Sequence, residues 1–276
     1  MDIRRDMNSA TFPDSWSRRP ARARPAVRPV HKFHLPGILL CCLIGVAQMG
    51  HRAWAEAPCP IPDDIALHGI SLPAAQREVA ADQQLIVLTF GGVQPAGAEA
   101  ESSGATWPAR LNAALRAALP QIQVTVANRP PPGKSSSDVP AVLADLIAQT
   151  GARLVIWGPG GRDVAAGVGL DAFDKAVQGG IDAVRGANAD LILLDTTFVP
   201  SPARMAMIED YRQKLLATAA ANHVPLLRRH AMMRIWSEDG TLNLGAREQA
   251  ERELVVRHLF SCVAQALAPA IATAVK

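Results

Sequence analysis

Leu85-Ile-Val-Leu-Thr-Phe-Gly-Gly-Val-Gln-Pro-Ala-Gly97 decides how this chain is read. A continuous apolar run ending in glycines is the signature of a parallel strand buried on both faces, with a sharp turn after it. The side chain after such a turn points into the crevice at the strand's carboxyl end, where α/β proteins place their ligands. Here that side chain is Val93, which offers only methyl groups where a catalyst needs a nucleophile.

Outward from this stretch the pattern repeats. Apolar runs at Leu85–Phe90, Ile122–Ala127, Leu154–Trp157, Leu191–Leu194 and Val224–Leu227 predict five strands. Between them, apolar residues recur at helical spacing: Trp107, Leu111, Leu115 and Leu119; Val139, Leu143 and Leu146; Phe173, Val177, Ile181 and Val184; Ile208, Tyr211 and Leu215. A final tract carries Leu254, Val255, His258 and Cys262. Strands alternating with helices predict an α/β fold, a three-layer α/β/α sandwich on a five-stranded parallel sheet of flavodoxin-like type, with any site at the strands' carboxyl ends. Pro130-Pro131-Pro132-Gly133 and Ser135-Ser136-Ser137 read as a surface connection.

Residues 1–55 differ from the rest. Arg18, Arg19, Arg22, Arg24, Arg28 and Lys32 make a basic n-region (1–34), Leu35–Met49 an apolar h-region (35–49), and Ala53-Trp54-Ala55 a small-x-small site. This predicts a signal peptide cleaved after Ala55, hence a periplasmic or secreted protein. The alternative is an uncleaved inner-membrane anchor, the only contact with a membrane the sequence suggests. Residues 56–84 then form an N-terminal extension and 85–276 the main domain. The chain has 28 basic and 25 acidic residues; the first 55 take 9 and 3 of these, leaving 19 against 22, a net charge of −3. That balance, with aromatics at 4%, argues against a nucleic-acid partner.

Cys41 and Cys42 fall in the h-region, leaving Cys59 and Cys262 beyond it. In an oxidising compartment such a pair predicts a disulfide closing a loop of roughly 200 residues, worth on the order of 4 kcal/mol in the chain-entropy model; two free thiols are the alternative. No cysteine or histidine spacing fits a zinc site and no glycine pattern fits a dinucleotide or phosphate loop, so no cofactor is expected. Met205, Met207, Met232 and Met233 read as core filler, and Trp157 and Trp236 as core residues that could border a crevice.

The order of landmarks resembles the SGNH/GDSL hydrolases, in particular their secreted bacterial esterase and acylhydrolase branch, over about residues 59–270. The resemblance is carried by Phe90-Gly91-Gly92-Val93, Trp107-Pro108-Ala109-Arg110-Leu111, Val124-Thr-Val-Ala-Asn128, Leu154-Val-Ile-Trp157-Gly-Pro-Gly160-Gly-Arg162-Asp163, Arg229-His-Ala-Met-Met233-Arg-Ile-Trp236 and Phe260-Ser-Cys262-Val-Ala264. It implies ester hydrolysis by a serine at the first block, and here Gly92-Val93 replaces the Asp-Ser of G-D-S. The second block's oxyanion glycine falls in a proline run, and proline has no N–H to donate, unless Gly133 takes its place. The third block, G-x-N-D, reads Gly160-Gly161-Arg162-Asp163, so Arg162 stands for the asparagine; it could bind an anion, while Asp163 holds the loop or pairs with it. The last block, D-x-x-H, registers either as Glu251 with Leu254 or as Asp239 with Leu242, and both registers put leucine where the family has its histidine.

His68, His223, His230 and His258 remain beyond residue 55. His230, after the fifth strand, is the best spare base, with Ser135 a spare hydroxyl. Two functions follow: a catalytically degraded relative that keeps its cleft for an acylated glycan, another cell-envelope ligand or a partner; or an active ester hydrolase with relocated residues. A Ser–His pair within about 3.5 Å at the strand ends discriminates them. A drifted gene copy without a selected ligand is the third possibility.

Overall fold

A computed structural model describes residues 58–91, 106–129 and 135–276. The segment 1–55, with its expected signal peptide, and the site positions Gly92, Val93 and Gly133 lie outside the described residues. In chain order the elements are α1 (Pro73–Asp82), β1 (Gln84–Gly91), α2 (Trp107–Ala118), β2 (Gln123–Arg129), α3 (Pro140–Thr150), β3 (Leu154–Gly158), α4 (Gly161–Ala166), α5 (Leu170–Gly186), β4 (Asp190–Leu194), α6 (Pro202–Ala221), β5 (Leu226–Leu227), α7 (Arg229–Glu238) and α8 (Gln249–Ala274).

The five strands form one parallel sheet in the order β2-β1-β3-β4-β5. Leu88 pairs with Ala127 on one side and Val155 on the other, and Ile156 pairs with Ile192. Because side chains alternate across a strand, β3 sends Leu154 and Ile156 to one core and Val155 and Trp157 to the other. The first core receives residues of α1, α2, α7 and α8, the second residues of α3, α5 and α6. This is the three-layer α/β/α sandwich that the alternating sequence predicts.

Each element has a local cause. The Thr106 hydroxyl accepts from the Ala109 N–H, and Pro108 in the first turn starts α2 without wasting a donor. In α5, Phe173, Val177, Ile181 and Val184 make the stripe that the spacing predicts, and all four are buried. Gly180 lets this helix sit directly on the sheet: a Cβ there would lie 2.4 Å from the ring of Trp157. β5 is shorter than the predicted Val224–Leu227, because Pro225 has no N–H for the ladder and serves only as acceptor for Leu193 N at 2.9 Å.

The expected extension, 56–84, described from residue 58, contributes to the core through Cys59, Ile65, Leu72 and Ala75. Cys59 and Cys262 are disulfide-bonded, with Cα atoms 5.4 Å apart and a separation of 203 positions in sequence. Among the described residues α8 is the one helix long and apolar enough to cross a membrane. More than half of its apolar stretch is buried against the rest of the protein, as in a core helix. The methionines divide: Met232 and Met233 are buried core residues, whereas Met207 is exposed on α6, a correction to its reading as filler.

Candidate functional site

The order β2-β1-β3-β4-β5 reverses direction between β1 and β3, and such a reversal opens a crevice at the strands' carboxyl ends. A cleft of about 340 Å³ lies there. Gly91 from β1, Trp157 and Gly158 from β3, Thr196 and Thr197 after β4 and Arg229 after β5 contribute to its wall. Gly91 ends β1 with φ of 65°, and a Cβ on it would meet the Gly158 carbonyl oxygen at 3.1 Å, so the two strand ends close up only because glycine stands there.

The wall opposite the glycines is built by Asp163. Its carboxylate accepts from Ser136 N at 2.8 Å, from the Ser136 hydroxyl at 2.8 Å and from Gly160 N at 3.1 Å. Asp163 therefore holds the third-block loop against the short 3₁₀ turn Ser136–Asp138, the first of the two roles expected of it. The serine run was expected at the surface; instead Ser136 is buried in this contact and Ser135 lines the cleft. Arg162 is exposed and also lines the cleft. Trp157 does both things open to it, packing in the second core and bordering the cavity.

Behind the cleft lies a buried polar group that no block of the sequence pattern marked. Asp195, fully buried, accepts from Arg212 Nε at 3.2 Å and from Thr196 N at 2.7 Å, and its backbone carbonyl accepts from Arg229 Nε at 2.9 Å. Burial raises the Asp195 carboxyl above the usual aspartate range, with Arg212 opposing. Burial likewise draws Arg229 down to about 10, with Asp195 opposing. A signal for these residues did exist: Asp195-Thr-Thr197 follows the fourth apolar run directly, so the strand-end rule points at them.

The spare base is not in the cleft. His230 follows Arg229 on α7, buried, edge-on to Phe198 with ring centroids 5.5 Å apart, and its Nε2 has no hydrogen-bond partner. Burial first, and then Arg212, lower its pKa below the ordinary histidine value. His223 sits in the turn before β5 at φ of 53°, His68 is exposed beside Asp63, and His258 Nε2 lies 3.8 Å from Cys59 Sγ. None of the four histidines beyond residue 55 lines the cleft. The two registers of the last block also part here: Leu242 is 2% exposed, folded under α7 with its N–H on the Trp236 carbonyl, whereas Leu254 is 58% exposed on the first turns of α8. Glu251 is at the surface, accepting from Asn243 Nδ2 at 2.7 Å. Neither leucine borders the cavity. Sequence spacing also missed one cluster: Cys59, His258 and Cys262 bring their ligand atoms within 4.8 Å of one another, with both sulfurs engaged in the disulfide.

The sequence pattern of the Non-GDSL lipase-like family matches residues 58–276. The chain belongs to that family. Two solved structures share this family member's fold: TesA at 21% identity, covering 67% of this chain and 99% of its own with a TM-score of 0.50, and the acetyl xylan esterase AlAXEase at 16% identity, covering 65% and 100% with a TM-score of 0.51. At such identities the likeness establishes the SGNH hydrolase-like architecture and no more. Among curated proteins none matches the sequence of this Non-GDSL lipase-like chain.

Proposed function

We propose that this chain is a non-hydrolysing member of its family, exported to the periplasm or beyond, that uses the cleft at the strand ends to hold a cell-envelope ligand, such as an acylated glycan, or a partner. One observation carries this reading: the position of the family nucleophile is Val93, and all four histidines beyond residue 55 are placed away from the cleft. Among the described residues two hydroxyl–carboxylate pairs lie at the cleft: Ser136 with Asp163, whose carboxylate accepts three hydrogen bonds in holding the loop, and Thr196 with Asp195, whose carboxylate also accepts from Arg212. In serine hydrolases, removal of nucleophile or base costs on the order of 10⁶ in turnover.

The test is an esterase assay of the purified chain with short-chain aryl esters, beside the variants Ser136→Ala and His230→Ala. Turnover at the buffer rate from a cooperatively folded sample supports the reading. Turnover above buffer that either variant removes overturns it in favour of an ester hydrolase with relocated residues.

A further inference from the structure

The cleft is lined by a buried cation, Arg229, whose nearby carboxylate, Asp195, is shared with a second guanidinium, that of Arg212. Arg229 is 3% exposed and lines the cavity, and its Nε is bonded to a neutral acceptor, the Asp195 carbonyl. The nearby Asp195 carboxylate accepts from Arg212 Nε and the Thr196 N–H. The acid in the wall itself, Asp163, accepts from Ser136 and Gly160. The Asp195 carboxylate offsets Arg229 only in part, because the same carboxylate is paired with Arg212, and Asp163 is occupied in holding its loop. A guanidinium withdrawn from water needs an anion, because its hydration is lost and a carbonyl dipole returns only part of it. Even drawn down to about 10 by burial, Arg229 carries its charge at neutral pH.

The rest of the wall suits an anion with a small organic body. Thr197 and Ser135 bring hydroxyls to the cavity, while Val139 and Trp157 give it an apolar side. About 340 Å³ is the lower end of the volume that encloses a small ligand. Building on the binding role argued above, we infer that the cleft takes the oxyanion end, carboxylate or phosphate, of a small organic molecule, with Arg229 as the counter-charge and Thr197 as a hydroxyl donor. A planar guanidinium in a dry wall favours such groups because it can present two parallel N–H donors to two oxygens.

The experiment is calorimetric titration of the full chain with acetate, inorganic phosphate and, as a neutral control, acetamide, with ester turnover measured on the same samples. Expected is saturable binding of acetate or phosphate and none of acetamide; which anion binds tells the two sources apart. Arg229→Gln weakens that binding about tenfold or more, and Thr197→Val, which keeps the side chain's shape, weakens it severalfold. Should Arg229→Gln fail to unfold cooperatively in urea, Thr197→Val decides. Folded wild type that binds neither anion at millimolar concentration overturns the inference and leaves the non-hydrolysing reading intact. Unchanged binding in folded Arg229→Gln or, where that variant does not fold, in Thr197→Val also overturns it. Ester turnover together with anion binding overturns the non-hydrolysing reading and leaves the inference standing.

Discussion

The two ends of the sheet treat buried charge differently. At the amino end Asp190 opens β4, and its carboxylate accepts from Ala74 N at 2.8 Å and Ala75 N at 2.9 Å, capping α1 from across the fold. Glu78 beside it accepts from Ile86 N at 3.2 Å and Gln84 Nε2 at 3.4 Å. Burial raises both carboxyls, yet both have backbone donors to bond. At the carboxyl end the carboxylates of Asp163 and Asp195 are as well used, but Arg229 lines a cavity, and His230 Nε2, outside that cavity, is buried without a hydrogen-bond partner. Polar groups with partners hold a fold together. Polar groups left over, at the end where strands present ligands, are what a binding site is made of.

The largest expected effect comes from removing the acid that builds the cleft wall. Asp163→Ala strands two backbone N–H groups and the Ser136 hydroxyl in a buried place, and should cost about 3 kcal/mol in urea unfolding. It should also abolish anion binding, since the wall it holds is the wall of the cleft. Asp190→Ala should cost less, about 1–2 kcal/mol, the scale of a lost helix cap, and leave anion binding unchanged. Equal loss of binding in both variants would mean that the two ends are not separable in the way described.

The smallest effect is a change of pH dependence. The folded pKa of His230 lies below its ordinary value of 6.5, so the folded state prefers the neutral ring. Its contribution to stability is therefore present above pH 6.5 and is lost as pH falls from there through the folded value. Urea unfolding of the wild type at pH 7.5 and pH 5 should show a decline that His230→Leu makes shallower. An identical decline in the variant would show that this ring does not titrate on unfolding.

The fold was open to reading because its strands announce themselves. Runs such as Leu191–Leu194 are apolar on both sides, and α5 carries its stripe without interruption. α1 has no such stripe: it buries two alanines and Glu78, and it is held by Asp190 from 115 and 116 residues away, a cause that no local pattern contains. α4, at six residues, is too short for periodicity to register. The site was legible in its location and not in its chemistry. Gly91, Gly160, Arg162 and Asp163 line the cleft, while Gly92, Val93 and Gly133 lie outside the described residues. Arg229 opens one of the segments that carry the resemblance but none of the four catalytic blocks, and it follows directly on a strand only two residues long.

The bond between Cys59 and Cys262 sets an order in time as well as a link in space. Cys59 is synthesised 203 residues before its partner, and all five strands lie between them. The second sulfur does not exist until every strand has been made. The bond can therefore close only on a chain that already contains the whole sheet, and no shorter, partly made domain can be locked by it.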